Sequence, residues 1–147
     1  MIIGLGIDVC SIDRMRKALE RHGDRFFARI CSPAERAELT GRDVGTALAG
    51  RFAVKEAFAK ALDGARGVGW HEVQVKRAPS GRPTLELSGN ALSMVERFGA
   101  DTWHVTITHD AGVAVAVVIL EQRTPRPSAA PDTSVRPKAD ATEEGKG

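Results

Sequence analysis

The rhythm of apolar and polar positions changes from segment to segment along this chain, and each change predicts an element. Met1–Ile7 is apolar and β-rich, with Ile2, Ile3, Leu5 and Ile7 interleaved by Gly4 and Gly6. It reads as a buried strand ending in Asp8, and its glycines suggest close approach by another backbone or a ligand. Helical spacing follows from Ser11, with Ser11 or Asp13 as cap, Met15 and Leu19 on the apolar side and a stop at Gly23 after His22. Ser32-Pro33-Ala34-Glu35 is a helix start in which Ser32 caps, Pro33 suits the first turn and Glu35 reaches back; that short helix ends before Gly41. Asp43 caps the next and longest helix, which runs to Leu62 with Leu48, Phe52, Ala59 and Leu62 as its core face.

Beyond a glycine-rich loop, Asp63–Gly69, the period falls to two. Val73–Ala78 and Thr84–Leu87 predict paired strands around the turn Ser80-Gly81-Arg82-Pro83. Asn90–Phe98 returns to helical spacing, with Leu92, Val95 and Phe98 inward. Trp103–Thr108 is a strand with Trp103, Val105 and Ile107 inward, and Asp110-Ala111-Gly112 turns it back. Val113–Leu120 is a continuous apolar run, as a central strand should be. Residues 122–147 differ in character: they hold four of the seven prolines and no aromatic residue. Such a segment buries too little to offset its ordering entropy, so a body over residues 1–121 followed by a disordered tail over 122–147 is expected.

Composition narrows the picture. A chain of 147 residues, 42% hydrophobic, suits one domain with a real core. A net charge of +2 gives no argument for nucleic acid. No apolar stretch approaches the ~20 residues of a membrane span, and the N-terminus lacks the form of a signal peptide. Cys10 and Cys31 follow no metal or redox spacing and read as reduced thiols of a cytoplasmic protein. Arg14, Lys17 and Arg21 make a basic stripe on the first helix.

Candidate chemistry is concentrated at three places. Asp8 ends a strand, Glu56 lies on the long helix, and Thr106-Ile107-Thr108-His109-Asp110 closes another β run. Glu56 and Lys60 are four apart and share a face, which taken alone admits an ordinary solvated ion pair. Two carboxylates completed by phosphate oxygens and waters is a usual Mg²⁺ arrangement; a Zn²⁺ site fits poorly, since His109 is the one histidine near these residues. Gly4-Leu5-Gly6 lacks the third glycine of a dinucleotide fingerprint, and no nucleoside-triphosphate loop is present.

Three segments together carry a resemblance. Gly6-Ile7-Asp8 with Ile12 and Arg14, then Phe52-Ala53-Val54-Lys55-Glu56-Ala57 with Lys60-Ala61-Leu62, then Thr106-Ile107-Thr108-His109 resemble the signatures of the holo-[acyl-carrier-protein] synthases, the small 4'-phosphopantetheinyl transferases. The resemblance covers Met1 to about Glu121. It implies an α+β fold, with a central, mainly antiparallel β-sheet packed against a long helix. It implies transfer of the 4'-phosphopantetheine arm of coenzyme A to a serine of an acidic acyl carrier protein, in fatty acid biosynthesis and with polyketide carriers left open. It also implies a cytoplasmic homotrimer with active sites between subunits, and neither nucleic acid nor membrane as partner.

On residues, the resemblance implies that Asp8 and Glu56 hold Mg²⁺. Lys60 stabilises charge on the phosphoryl group, and Glu56 or Asp8 serves as base, directly or through metal-bound water. Arg51, Lys60, Gly64, Gly67, Thr108 and His109 bind coenzyme A, with Arg42 as a partner for its 3'-phosphate. Thr108 keeps a hydroxyl where the family often has serine. Arg14, Lys17, Arg21, Arg25 and Phe26 dock the carrier, while Ala18 and His22 stand where bulky apolar residues are common in the family.

Overall fold

The computed structural model of the protein describes residues 1–124, so the tail expected from residue 122 lies, from 125 on, outside the described residues. The elements run β1 (Ile2–Ser11), α1 (Ile12–Ile30), α2 (Pro33–Ala37), α3 (Val44–Ala61), a 3₁₀ turn (Trp70–Glu72), β2 (Val73–Arg77), β3 (Pro83–Leu87), α4 (Gly89–Phe98), β4 (Thr102–Asp110) and β5 (Val113–Glu121). β1, β5 and β4 form an antiparallel sheet with β5 in the centre, and β2 and β3 form a separate hairpin. The fold is α+β, with α3 lying on one face of the larger sheet. No helix of the described residues is long and apolar enough to cross a membrane.

β5 takes the central place because its apolar run has two sides to satisfy. Ala114, Ala116, Val118 and Leu120 are buried towards α3, and Val113, Val115, Val117 and Ile119 alternate with them towards the other face. α3 is less one-sided than its predicted Leu48–Phe52–Ala59–Leu62 stripe. Leu48 and Leu62 are buried, but Phe52 and Ala59 are only partly so. The deepest ridge is Ala49, Ala53, Ala57 and Ala61, at successive steps of four. Small side chains there let the helix axis come close to the sheet, and Phe58 fills the space beside them.

The approach is closest at β1, where a Cβ on Gly6 would run into the carbonyl of Ala57 and one on Gly4 into that of Ala61. The glycines predicted to admit another backbone do so. β1 itself departs from expectation: it extends to Ser11, places Asp8 inside the strand, and is an edge strand with one bare face. Leu5, Ile7 and Val9 are 63%, 57% and 59% exposed.

The capping predictions hold. Ser11 Oγ accepts from the Arg14 amide, Ser32 and Glu35 form a reciprocal capping box, and Asp43 accepts from Gly45 and Thr46. The first helix does not stop at Gly23. Gly23 adopts φ 58°, ψ −142°, a conformation open to glycine, and the helix resumes in a new direction to Ile30. At the other end of the body, residues 122–124 are tied down rather than free. The Gln122 amide donates to the Met1 carbonyl, and Asp101 accepts from the amides of Arg123 and Thr124, which holds its carboxyl well below the usual carboxylate range.

Candidate active site

Because Gly6 lets α3 lie against β1, the carboxylates of Asp8 and Glu56 come to one region. Both raise the pKa of the Cys10 thiol beneath them, a shift due first to burial and opposed by Arg14. Lys60 does not make the i,i+4 pair with Glu56; its Nζ lies 2.8 Å from Asp8 Oδ1, with side-chain exposures of 55% and 15%. Glu56 is half-buried and is left with no ion pair among the described residues. No three His, Cys, Asp or Glu side chains cluster among the described residues. The donor set is therefore two hard carboxylates on rigid elements. That suits an oxygen-seeking ion that draws its other ligands from phosphate and water, and suits a soft tetrahedral ion badly.

Arg51 stands elsewhere on α3. Its side chain is buried, with Nη2 3.2 Å from Glu38 Oε2 and Nε 3.8 Å from Glu35 Oε1. Burial lowers its pKa, and its Nε has no hydrogen-bond partner among the described residues. It forms the floor of a groove of about 450 Å³ whose walls include Arg42, Thr46, Arg77, Ile107 and His109. Three guanidiniums and a histidine beside Ile107 can offer hydrogen-bond donors and positive charge to an anionic group such as a phosphate, and the volume falls in the range of small-molecule sites. Arg42, Arg51 and His109 were expected at a phosphate site; Arg77, at the end of β2, was not. Thr108 points the other way along β4, opposite Val115 in the ladder and exposed on the bare face of the sheet.

In the glycine loop, the Gly64 amide donates to the Ala59 carbonyl and closes the end of α3, and the Gly67 carbonyl accepts from Asn90 Nδ2. The Gly64 amide is thus committed to the helix terminus. On α1, Arg21, Arg25 and Phe26 share a groove with Ala18, His22 and Arg29. Arg14 instead sits by Cys10, and Lys17 pairs with Asp13 at 2.7 Å.

The sequence reading missed the polar hub beneath the site. Glu35, taken as a capping residue, is fully buried. It accepts from the amides of Ser32 at 2.9 Å and Val75 at 3.0 Å and from Lys55 Nζ at 2.8 Å. The adjacency of Lys55 to Glu56 in the motif was visible; that one faces inward and the other outward was not.

The model of the 4'-phosphopantetheinyl transferase superfamily matches residues 4–118, and the chain belongs to that superfamily. Within it, the chain stands with the holo-[acyl-carrier-protein] synthases, which are enzymes. It is 52% identical to that synthase of Solidesulfovibrio magneticus over 82% of this chain and 99% of the relative. It is 43% identical to that of Beutenbergia cavernae over 83% and 100%. Among solved structures, the synthase of Neisseria meningitidis superposes with a TM-score of 0.76 at 30% identity, over 83% of this chain and 100% of that one. The Helicobacter pylori synthase in complex with coenzyme A superposes with a TM-score of 0.71 at 33% identity, over 80% and 99%.

Proposed function

We propose that this chain transfers the 4'-phosphopantetheine group of coenzyme A to a serine hydroxyl of an apo acyl carrier protein, releasing adenosine 3',5'-bisphosphate. The observation that carries the reading is the gathering of Asp8, Glu56 and Lys60 where α3 meets β1. The serine oxygen forms a bond to the β-phosphorus, and the bond from that phosphorus to the bridging oxygen breaks. The proton of the serine hydroxyl goes to the Glu56 carboxylate, which has no ion pair among the described residues. Lys60, more than half exposed, has reach to turn its ammonium towards the phosphoryl oxygens. Asp8 and Glu56 are the residues that would hold Mg²⁺; when bound, the ion supplies positive charge against the pyrophosphate oxygens.

The groove of Arg42, Arg51, Arg77 and His109 takes the phosphorylated nucleoside end of coenzyme A. Lys60 lies nine residues past Arg51, about 13 Å along the helix, and β5 separates β1 from β4. The two halves of the site are thus apart in one chain, and a homotrimer that sets the groove of one subunit beside the carboxylates of the next completes it. The bare face of the sheet supports that assembly. Leu5, Ile7 and Val9 lie opposite Ile119, Val117 and Val115, and those in turn opposite His104, Thr106 and Thr108, a patch suited to burial against another copy. The carrier, an acidic protein, is met by the Arg21–Arg25–Arg29 groove of α1 with Phe26 as its apolar contact, and by Arg14 nearer the carboxylates. Gly67 and Thr108 stay in the reading as coenzyme contacts in the assembled site.

Mass spectrometry of an apo carrier incubated with the protein, coenzyme A and Mg²⁺ tests the reading. The expected result is a phosphopantetheine mass shift on one serine; an unmodified carrier at full incubation overturns it.

A further inference from the structure

The basic groove on α1 owes its shape to a bend. Ala18, Arg21 and His22 line it from before Gly23, and Arg25, Phe26 and Arg29 from after it, around a space of about 670 Å³. On one straight helix Arg21, Arg25 and Arg29, four apart, would make a flat stripe. At φ 58°, ψ −142° Gly23 turns the chain, and the stripe becomes a concavity. The segment beyond the bend, residues 24–30, is two turns long and too short to hold itself. Its direction depends on what binds its end, where a helix leaves its last four carbonyls without partners of its own turn. The Phe27 carbonyl accepts from the Cys31 amide, and the Ile30 carbonyl from Lys55 Nζ at 2.6 Å. The Ala28 carbonyl lies 2.7 Å from His71 Nε2. A carbonyl can only accept, so the ring donates from Nε2.

These ties differ in kind. Lys55 belongs to the buried pair with Glu35. Arg36 reaches Asp24 at 3.3 Å, but that carboxylate is 88% exposed and the pair is weak. His71 is an exposed residue of the 3₁₀ turn, and its one side-chain hydrogen bond among the described residues is to Ala28. The neighbouring Trp70 carbonyl is bound to Lys55, next to Glu56 on α3. His71 thus stands between the basic half-helix and the helix of the carboxylate site. A serine delivered to Glu56 must arrive at a set angle, and misplacement is costly. Resting on the transfer reading, we infer that His71 is a positioning residue for the acidic carrier: through Ala28 it fixes the half-helix so that Arg25, Phe26 and Arg29 face the same carrier surface as Arg21. It touches neither substrate itself.

The test is steady-state loading by the full chain, with apo carrier varied at saturating coenzyme A. His71→Ala removes the bond, and His71→Gln keeps an N–H donor at similar reach. His71→Ala is expected to raise the carrier KM about fivefold, the worth of one net hydrogen bond. Its kcat and, by titration calorimetry, its coenzyme A affinity should stay within about twofold of wild type, which also shows that the variant is folded. His71→Gln should return the carrier KM to within about twofold of wild type. Arg29→Ala should raise the carrier KM less in the His71→Ala background than alone, because the half-helix that presents Arg29 has already lost its place. An unchanged carrier KM in His71→Ala, an equal rise in His71→Gln, a matching loss of coenzyme A affinity, or full additivity with Arg29→Ala overturns the inference. A wild type that binds coenzyme A and leaves the apo carrier unmodified overturns instead the transfer reading on which it rests.

Discussion

Lys55 Nζ lies 2.8 Å from Glu35 Oε2, with both side chains out of reach of solvent. The same ammonium donates to the carbonyls of Ile30 and Trp70, and the same carboxylate accepts from the amides of Ser32 and Val75. One ion pair therefore joins the end of α1, the start of α2, the middle of α3, the 3₁₀ turn and β2. It fixes the rotation of α3, and the outward direction of Glu56 follows from the inward direction of its neighbour.

Removing one partner leaves the other charged and buried. Lys55→Met should cost about 3–5 kcal/mol of stability, measured by urea denaturation. The double variant Lys55→Met/Glu35→Gln should lose about 0.5–3 kcal/mol less than the sum of the singles. Strict additivity would mean that the pair is not the unit that holds these elements together.

Glu72 gives the loop beside Glu56 a pH dependence. The amides of Gly69 and Asn90 donate to its carboxylate at 2.9 and 3.1 Å, and these bonds hold its carboxyl below the ordinary 4.5. A carboxyl whose folded value is depressed contributes stability that is fully present above the unfolded value and is lost as pH falls through the lowered one. The loop should therefore stay closed at neutral pH and loosen only in acid below about pH 4.5. Trp70 emission, read in a Trp103→Phe background, should change over that acid range, and Glu72→Gln should abolish the change.

Gly6 is where backbone geometry and chemistry meet. Alanine there directs its Cβ into the Ala57 carbonyl, so α3 must move away from β1. Such overpacking costs about 1–3 kcal/mol, measurable as a fall in the urea midpoint. Because the shift separates Asp8 from Glu56 and Lys60, turnover should fall in Gly6→Ala under conditions where the variant is still fully folded. A destabilised variant of unchanged turnover would show that this contact sets stability alone.

The bare side of the sheet makes a prediction of a different kind. Ile7 sits in the middle row of that face, opposite Val117 and then Thr106. Ile7→Glu should leave the fold intact, since the side chain is already more than half exposed, and should convert an oligomer into monomers by sedimentation velocity. If the assembled site is needed, activity should vanish with the oligomer. Monomers of full activity would place both halves of the site in one chain.

These cases show what the sequence made legible. Local signals were read well because their physics is local: the Ser11, Ser32 and Asp43 caps, the glycines of β1, and the unbroken apolar run of β5 each act within a few residues. Motif resemblance supplied Asp8, Glu56 and Lys60 together, which spacing alone would have left as a solvated pair. What stayed hidden depended on tertiary neighbours. Glu35 and Lys55 are twenty positions apart, and nothing in either segment says that they meet. Phe52 looked like an anchor by spacing, yet it packs on Trp70 at the rim, while an alanine ridge that no hydrophobic count would favour lies deepest. Gly23 was read as a stop because glycine disfavours helix, but what it provides is a bend.

The proton question on α3 can be settled by substitution, because Asp8 and Glu56 differ in their surroundings. Asp8 is bound to Lys60, and Glu56 has no ion pair among the described residues. Glu56→Gln keeps size and polarity and removes the basic site; if Glu56 takes the serine proton, turnover should fall by about 10²–10⁴-fold while the thermal midpoint hardly moves. Asp8→Asn removes a carboxylate and frees Lys60, so it should raise the Mg²⁺ concentration needed for half-maximal activity, with part of the lost rate recovered at high Mg²⁺. The two titrations, run on the same carrier, give opposite answers under the opposite assignment. Recovery of Glu56→Gln by Mg²⁺ with none for Asp8→Asn would make Glu56 a ligand only and hand the proton to Asp8.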